Sequence, residues 1–250
     1  MRPRDAFDQF QKFLSETEGD FHILEQRVPV EVQMEYFKFS NHLRKLLPLP
    51  RLNDADYETA LSELHQPDAT KDYKRQILST LAISKQVKAY RILEQYAREA
   101  EPELADWSYM ALMESRIALE TELSDEKHIY ISTGLGGKSK KLRFFVLLLS
   151  DAGKPFLDYQ RQVIEREFAY SLPREDCKIE RLTVKEKHVE MLLLVPIQRD
   201  IKRILSSIIK ECNQYGNFLA DAFTVTNVKE LNEKEINKII QIHESNQAGR

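Results

Sequence analysis

Cysteine is scarce in this 250-residue chain. There are two, Cys177 and Cys212, too few for a framework of bridges, and a reducing compartment is the expected setting. Glycine is scarce as well: seven in the whole chain argue against a sandwich or barrel rich in tight turns, and for long helices on short connections. The longest apolar run, Phe144 to Leu149, falls far short of the roughly 20 residues of a membrane-spanning helix, so no membrane partner is expected. The start, Met1-Arg-Pro-Arg-Asp-Ala-Phe-Asp, has charges without an apolar stretch behind them. No targeting segment is therefore predicted, and the cytoplasm is the expected location.

Chemistry-bearing patterns are sparse too. Histidines at 22, 42, 65, 128, 188 and 243 show no H-x-x-x-H spacing, and the cysteines no C-x-x-C, so neither a metal nor a cofactor is expected. Cys212 falls within an apolar stripe, and Cys177 stands beside Glu175 and Asp176, an acidic setting that raises a thiol pKa. No catalytic residue is assigned, and the chain leans towards not being an enzyme.

What the sequence does hold is charge, unevenly placed. The net charge is −3, but residues 1–127 carry 17 Lys/Arg against 24 Asp/Glu, or −7, and residues 128–250 carry 20 against 16, or +4. A polyanion would prefer the second half.

Apolar residues of the first half recur at helical spacing. Helices are predicted over Asp5–Leu14, Val30–Leu46, Asp54–His65, Thr70–Ile83 and Lys85–Ala100, and from Pro102 to Leu123. Pro102 suits a first turn, where its missing N–H is not needed. The prolines in Leu46-Leu-Pro-Leu-Pro-Arg51 separate the second helix from the third. In the last helix Leu104, Trp107, Met110, Ala111, Glu114, Ile117, Ala118 and Leu123 lie near one stripe. The segments Tyr73–Ile83 and Lys85–Ala100, with Glu103 to Arg116 containing Asp106-Trp107 early in a helix, resemble HEAT-type helical repeats over about residues 70–123. That resemblance implies a surface for a protein partner; an ordinary bundle is the other reading, since no period repeats three times.

The second half changes period. Short strands are predicted at His128–Thr133, Leu142–Ser150, Lys178–Lys185, His188–Pro196 and Ala222–Val228. Helices fall between them, one carrying Phe156, Tyr159, Val163, Ile164 and Phe168, the next the stripe Ile201, Ile204, Leu205, Ile208, Ile209, Cys212 and Tyr215. Asp200 is placed to cap that second helix and Gly216 to stop it, while Asn232 with Glu235 forms a capping box for a terminal helix. The order resembles a ferredoxin-like βαββαβ domain, with the strand near 129–133 extending the sheet as a hairpin. The fold class is thus α+β: an all-helical domain over 1–127, HEAT-like or a bundle, followed by a ferredoxin-like domain over 128–250.

One motif carries a candidate site. Ser132-Thr-Gly-Leu-Gly-Gly-Lys-Ser139 resembles a P-loop with serine in place of the first glycine, but a strand rather than a helix follows it. What remains is an anion or nucleic-acid contact by Gly134, Gly136, Gly137, Lys138, Ser139, Lys140, Lys141 and Arg143. His188–Pro196 has no aromatic residue, which removes an RRM-type stacking surface. Three functions follow in order: a non-catalytic adaptor for protein–protein interaction, an RNA- or ribosome-associated factor using the basic loop, and a nucleotide-sensing or phosphoryl-transfer protein. A protein partner is expected, RNA and a homodimer being the further possibilities.

Overall fold

This computed structural model describes residues 20–46, 51–123 and 128–248. Helices and an antiparallel sheet coexist, so the α+β class holds. The expected helix at Asp5–Leu14 and the Pro-Leu-Pro break lie outside the described residues. No described helix is long and apolar enough to cross a membrane. By contacts the chain divides into residues 28–129 and a unit made of 1–27 with 130–250, whereas composition had suggested a seam after residue 127.

The 28–129 unit is helical: α1 (Val30–Leu46), α2 (Asp54–Leu64), α3 (Lys71–Ile83), α4 (Val87–Glu99) and α5 (Pro102–Leu123). Its core gathers Tyr36, Leu78, Leu81, Leu93, Trp107 and Met110 with their neighbours. Trp107 is core, and its indole N–H donates to Ser79 Oγ at 3.1 Å. Glu114 sits in the apolar stripe of α5 for a reason. Tyr36, Ser40 and Arg44, four residues apart along one face of α1, all donate to its carboxylate at 2.5–2.8 Å. Burial, then the neighbouring Glu114 charge, pushes the Tyr36 hydroxyl well above its ordinary pKa.

The second unit has β1 (Asp20–Ile23), β2 (His128–Ile131), β3 (Gly137–Lys138), β4 (Lys141–Ser150), β5 (Lys178–Val184), β6 (His188–Pro196) and β7 (Leu219–Thr226). Its helices are α6 (Asp158–Arg174), α7 (Ile201–Asn213) and α8 (Glu233–Ala248). The main sheet runs β7–β4–β6–β5, all antiparallel, with β3 on the β7 side of β4 near its start. The strand expected to extend this sheet at 128–133 does not join it. It pairs instead with β1, an element the sequence reading lacks, in a separate two-stranded sheet, and the short β3 is the added strand.

Alternation along β4 divides its apolar residues between two faces. Phe145, Leu147 and Leu149 meet Ile236, Leu231, Ile239 and Ile240 around α8. Phe144, Val146 and Leu148 are equally buried and, by the same alternation, point to the opposite face. Buried on both sides, the strand reads as a continuous apolar run. The predicted caps form. Asp200 Oδ1 accepts from the N–H groups of Lys202 and Arg203, and Asn232 and Glu235 exchange side chain-to-backbone bonds of 3.0 and 3.1 Å. Gly216 has φ +119°, a region open to glycine. One detail differs: Tyr159 is exposed rather than apolar-side.

Candidate nucleic-acid interface

The basic glycine loop becomes the approach to a hairpin. β3 and β4 pair with Gly137 opposite Leu142 and Lys138 opposite Lys141, leaving two residues, Ser139 and Lys140, in the turn. Both have positive φ, +51° and +62°, as a two-residue hairpin of the type I′ class requires. Asn-Gly satisfies that geometry with little strain. Here a serine and a lysine do so, at roughly 1 kcal/mol or more each for a side chain in the left-handed region. Lys138, Ser139 and Lys140 are all exposed. The tip therefore sets two exposed lysines, Lys138 and Lys140, about Ser139, on a turn whose conformation its sequence disfavours.

Each remaining residue of the motif has a placement of its own. A Cβ on Gly134 would lie 1.8 Å from the Val228 carbonyl oxygen, so glycine is required for two backbones to touch. Gly136, at φ +64°, lies against the Glu25 carbonyl, which a Cβ would approach to 2.5 Å. Gly137 is buried within β3. The amides that a phosphate cradle would need are engaged: Leu135 donates to Asn227 O, Gly136 to Thr133 O and Ser139 to Glu25 Oε1. The element that follows is a strand. Neither condition of a phosphate-binding loop is met.

Lys141 is half-buried and reaches Asp176, its Nζ donating to the carbonyl oxygen at 2.5 Å and to Oδ1 at 2.6 Å. Arg143 is withdrawn further, with 11% of its side chain exposed. It donates from Nε and a terminal nitrogen to the two oxygens of Glu180, at 2.5 and 3.0 Å, and from the other terminal nitrogen to Leu135 O at 2.7 Å. This fork holds the hairpin to β5. The bond from Arg143 pulls the Glu180 carboxyl below the usual range, and the bond to Glu180 raises the guanidinium further. Arg27 and Arg181 share Glu230 beside this pair. The eight predicted residues thus stand together, but only Lys138, Ser139 and Lys140 are fully on the surface.

A second polar group escaped the sequence reading. His188 and Glu190 lie two apart on β6, hence on one face, with Nε2 and Oε1 3.3 Å apart and side chains 17% and 20% exposed. Lys187 beside them reaches Glu244 of α8 at 3.2 Å. The available signal was two ionisable residues at period two at the start of an otherwise apolar strand. Among the described residues no group of three or more His, Cys, Asp or Glu could hold a metal ion. Asn213 bonds the backbone of Phe218 and Leu219 and closes the turn after α7.

No family model matches the chain, and no curated protein matches it. Solved structures do. A putative transposase from Deinococcus radiodurans R1 is 16% identical, with 43% of this chain and 94% of that one covered and a TM-score of 0.37. A REP-associated tyrosine transposase bound to a REP hairpin is also 16% identical, over 50% of this chain and 73% of that one, with a TM-score of 0.32. Both are transposases. On that finding the expectation of a non-catalytic protein–protein adaptor is corrected.

Proposed function

We propose that this chain binds DNA, gripping the phosphate backbone with the tip of the β3–β4 hairpin through Lys138, Ser139 and Lys140. The observation that carries the reading is the left-handed Ser139-Lys140 turn. Strained backbone under a row of lysines is a stability cost that a solvated loop has no reason to keep, and cation clusters of this kind take phosphate. The reading rests on the turn and its lysines; DNA, rather than another polyanion, is named after the transposases that the chain resembles. Lys141, Arg143 and the glycines form the mount: they fix the hairpin to β5 and to the segment around Glu25.

The finer fold belongs to the same proposal. We take the main sheet as ferredoxin-like, supported by the order β7–β4–β6–β5 with α6 joining β4 to β5 and α7 joining β6 to β7. The HEAT-type reading of 70–123 is supported by the mutual packing of α3, α4 and α5. A cytoplasmic place suits two unbridged cysteines. None of the strands or helices bordering His188 and Glu190, namely β4, β5, β6 and α8, contains a tyrosine. The proposal is therefore of binding, with no tyrosine assigned a chemical role.

Anisotropy titration of a labelled DNA hairpin at several salt concentrations tests it. Lys138→Glu with Lys140→Glu should weaken binding and lower the salt slope by about 2, one for each lysine taken away from a phosphate. Unchanged affinity with an unchanged slope would refute the assignment.

A further inference from the structure

A bulge in β5 decides which way two of its cations point. Residues opposite one another across a sheet share a face. In a regular strand Lys178 and Arg181, three apart, would therefore point to opposite sides. The register shifts between Ile179 and Arg181, so that Lys178 stands opposite Leu194 and Arg181 opposite Leu192. Those leucines are two apart on β6 and share a face. On the other side of β6, Arg143 is opposite Leu194, and Lys141 is opposite Pro196. One extra residue thus gathers Lys141, Arg143, Lys178 and Arg181 on a single face, at the end of the sheet that carries the hairpin. Bulges re-aim side chains in this way.

Arg27 joins the group from the segment after β1. It and Arg181 both donate to Glu230. The Glu180 carboxyl is lowered by the bond from Arg143 and then by the charges of Arg27 and Lys178, which places all three cations about it. With Lys138 and Lys140 at the tip, seven cations stand against the four carboxylates bonded to these residues, Glu25, Asp176, Glu180 and Glu230. That is an excess of three positive charges in a chain of net charge −3. Lys178 is exposed, and Arg27 and Arg181 keep 48% and 44% of their side chains exposed. A guanidinium has five N–H groups, and Glu230 takes one from each arginine. The shared carboxylate holds both in place with donors to spare.

We propose that Lys178, Arg181 and Arg27 take a second run of DNA phosphates, so that the backbone gripped at the hairpin tip continues across the bulged part of β5. This inference rests on the DNA reading above. Charge complementarity selects the occupant: a local cation excess on a net-acidic chain, with two arginines prepositioned, suits a polyanion. The spacing suits it too. Ile197 N–H donates to Lys140 O, so Lys178, opposite Leu194, lies three residues along and two strands across from the tip. At about 3.3 Å per residue and 4.8 Å per strand that is roughly 14 Å. About four nucleotides of one strand of a duplex cover that interval, so a short DNA hairpin reaches both groups.

Anisotropy titration of the labelled DNA hairpin over a salt series, on the full chain, tests the proposal. Lys178→Gln with Arg181→Gln should weaken binding and lower the salt slope by about 2, in addition to the loss from Lys138→Glu with Lys140→Glu. Arg27→Gln takes the place of Arg181→Gln if that strand variant does not fold, since Glu230 keeps one arginine either way. A wild-type slope in the Lys178 and Arg181 variants, beside a lowered slope in the tip variants, would overturn this inference and leave the tip assignment standing. Tip variants without effect, beside a lowered slope in the β5 variants, would do the reverse. A chain with no salt-dependent binding of the hairpin overturns both.

Discussion

Replacing Ser139-Lys140 by Asn-Gly puts a number on the strain at the hairpin tip. Both residues have φ between +50° and +65°, where an ordinary side chain costs roughly 1–2 kcal/mol, asparagine less and glycine almost nothing. Since Gly137–Leu142 and Lys138–Lys141 already fix the strands in register, the substitution leaves the pairing as it is. The expected gain is about 1–2 kcal/mol, and for a unit of this size that is an upward shift of roughly 3–6 °C in melting temperature. Calorimetry or far-ultraviolet circular dichroism reads the shift. The only tryptophan, Trp107, is buried in the helical unit, so its fluorescence transition serves as an internal control that should not move. Ser139→Asn alone leaves the charge unchanged and should supply part of the gain, which separates backbone strain from relief of lysine repulsion. The same double variant should bind DNA more weakly, having lost Lys140, so stability and binding move in opposite directions. A variant that melts at or below the wild type would refute the strain argument.

The acid limb of stability should register the Arg143–Glu180 fork. Because Arg143 depresses the folded pKa of Glu180, its stabilisation is complete above the unfolded value near 4.5 and is lost as pH falls through the lower folded value. Glu180→Gln should accordingly flatten the fall in stability below about pH 4.5, measured by denaturant unfolding at several pH values; an unchanged profile would contradict the assignment. The two cysteines should be inert in the native protein. Burial, then the Glu175 charge, raises Cys177 to about 11, and burial, then Glu167, raises Cys212 to about 12. A thiol reagent at pH 8 should label neither until the chain is unfolded, and prompt labelling of the folded protein would show that the burial is wrong.

Much of this architecture was legible because its signals are local. α1 ends where the Val30–Leu46 periodicity ends, α7 follows its apolar stripe from Asp200 to the stop near Gly216, and β4 follows its apolar run. What escaped was set by partners distant in sequence. β1 is four residues, Asp-Phe-His-Ile, whose hydrogen-bonding partner lies about a hundred residues on, and nothing nearby marks it as a strand. β2 looked like a strand and is one, but which sheet it joins depends on that unseen partner. The hairpin turn was hidden for a different reason: Ser139-Lys140 lacks the Asn-Gly signature. The site was legible as a set of neighbours and illegible as a set of roles, since only the fold places Arg143 and Lys141 on carboxylates and leaves Lys138 and Lys140 outward. Likewise His188 and Glu190 gain meaning from sharing one face of β6.

The pairing of β1 with β2 has a consequence for assembly. Leu24 N and Ile131 O are 2.9 Å apart, while the intervening chain, residues 28–129, is a unit of its own. Closing a slack loop of that length costs about 4 kcal/mol in chain entropy. A helical unit that has already folded is not slack: its two ends are tethered points, and most of that cost is met before the strands search for each other. During synthesis β1 leaves the ribosome first and has no partner until the inserted helices have followed it. Mutations weakening the helical core, such as the loss of Glu114, should therefore slow the pairing of β1 with β2.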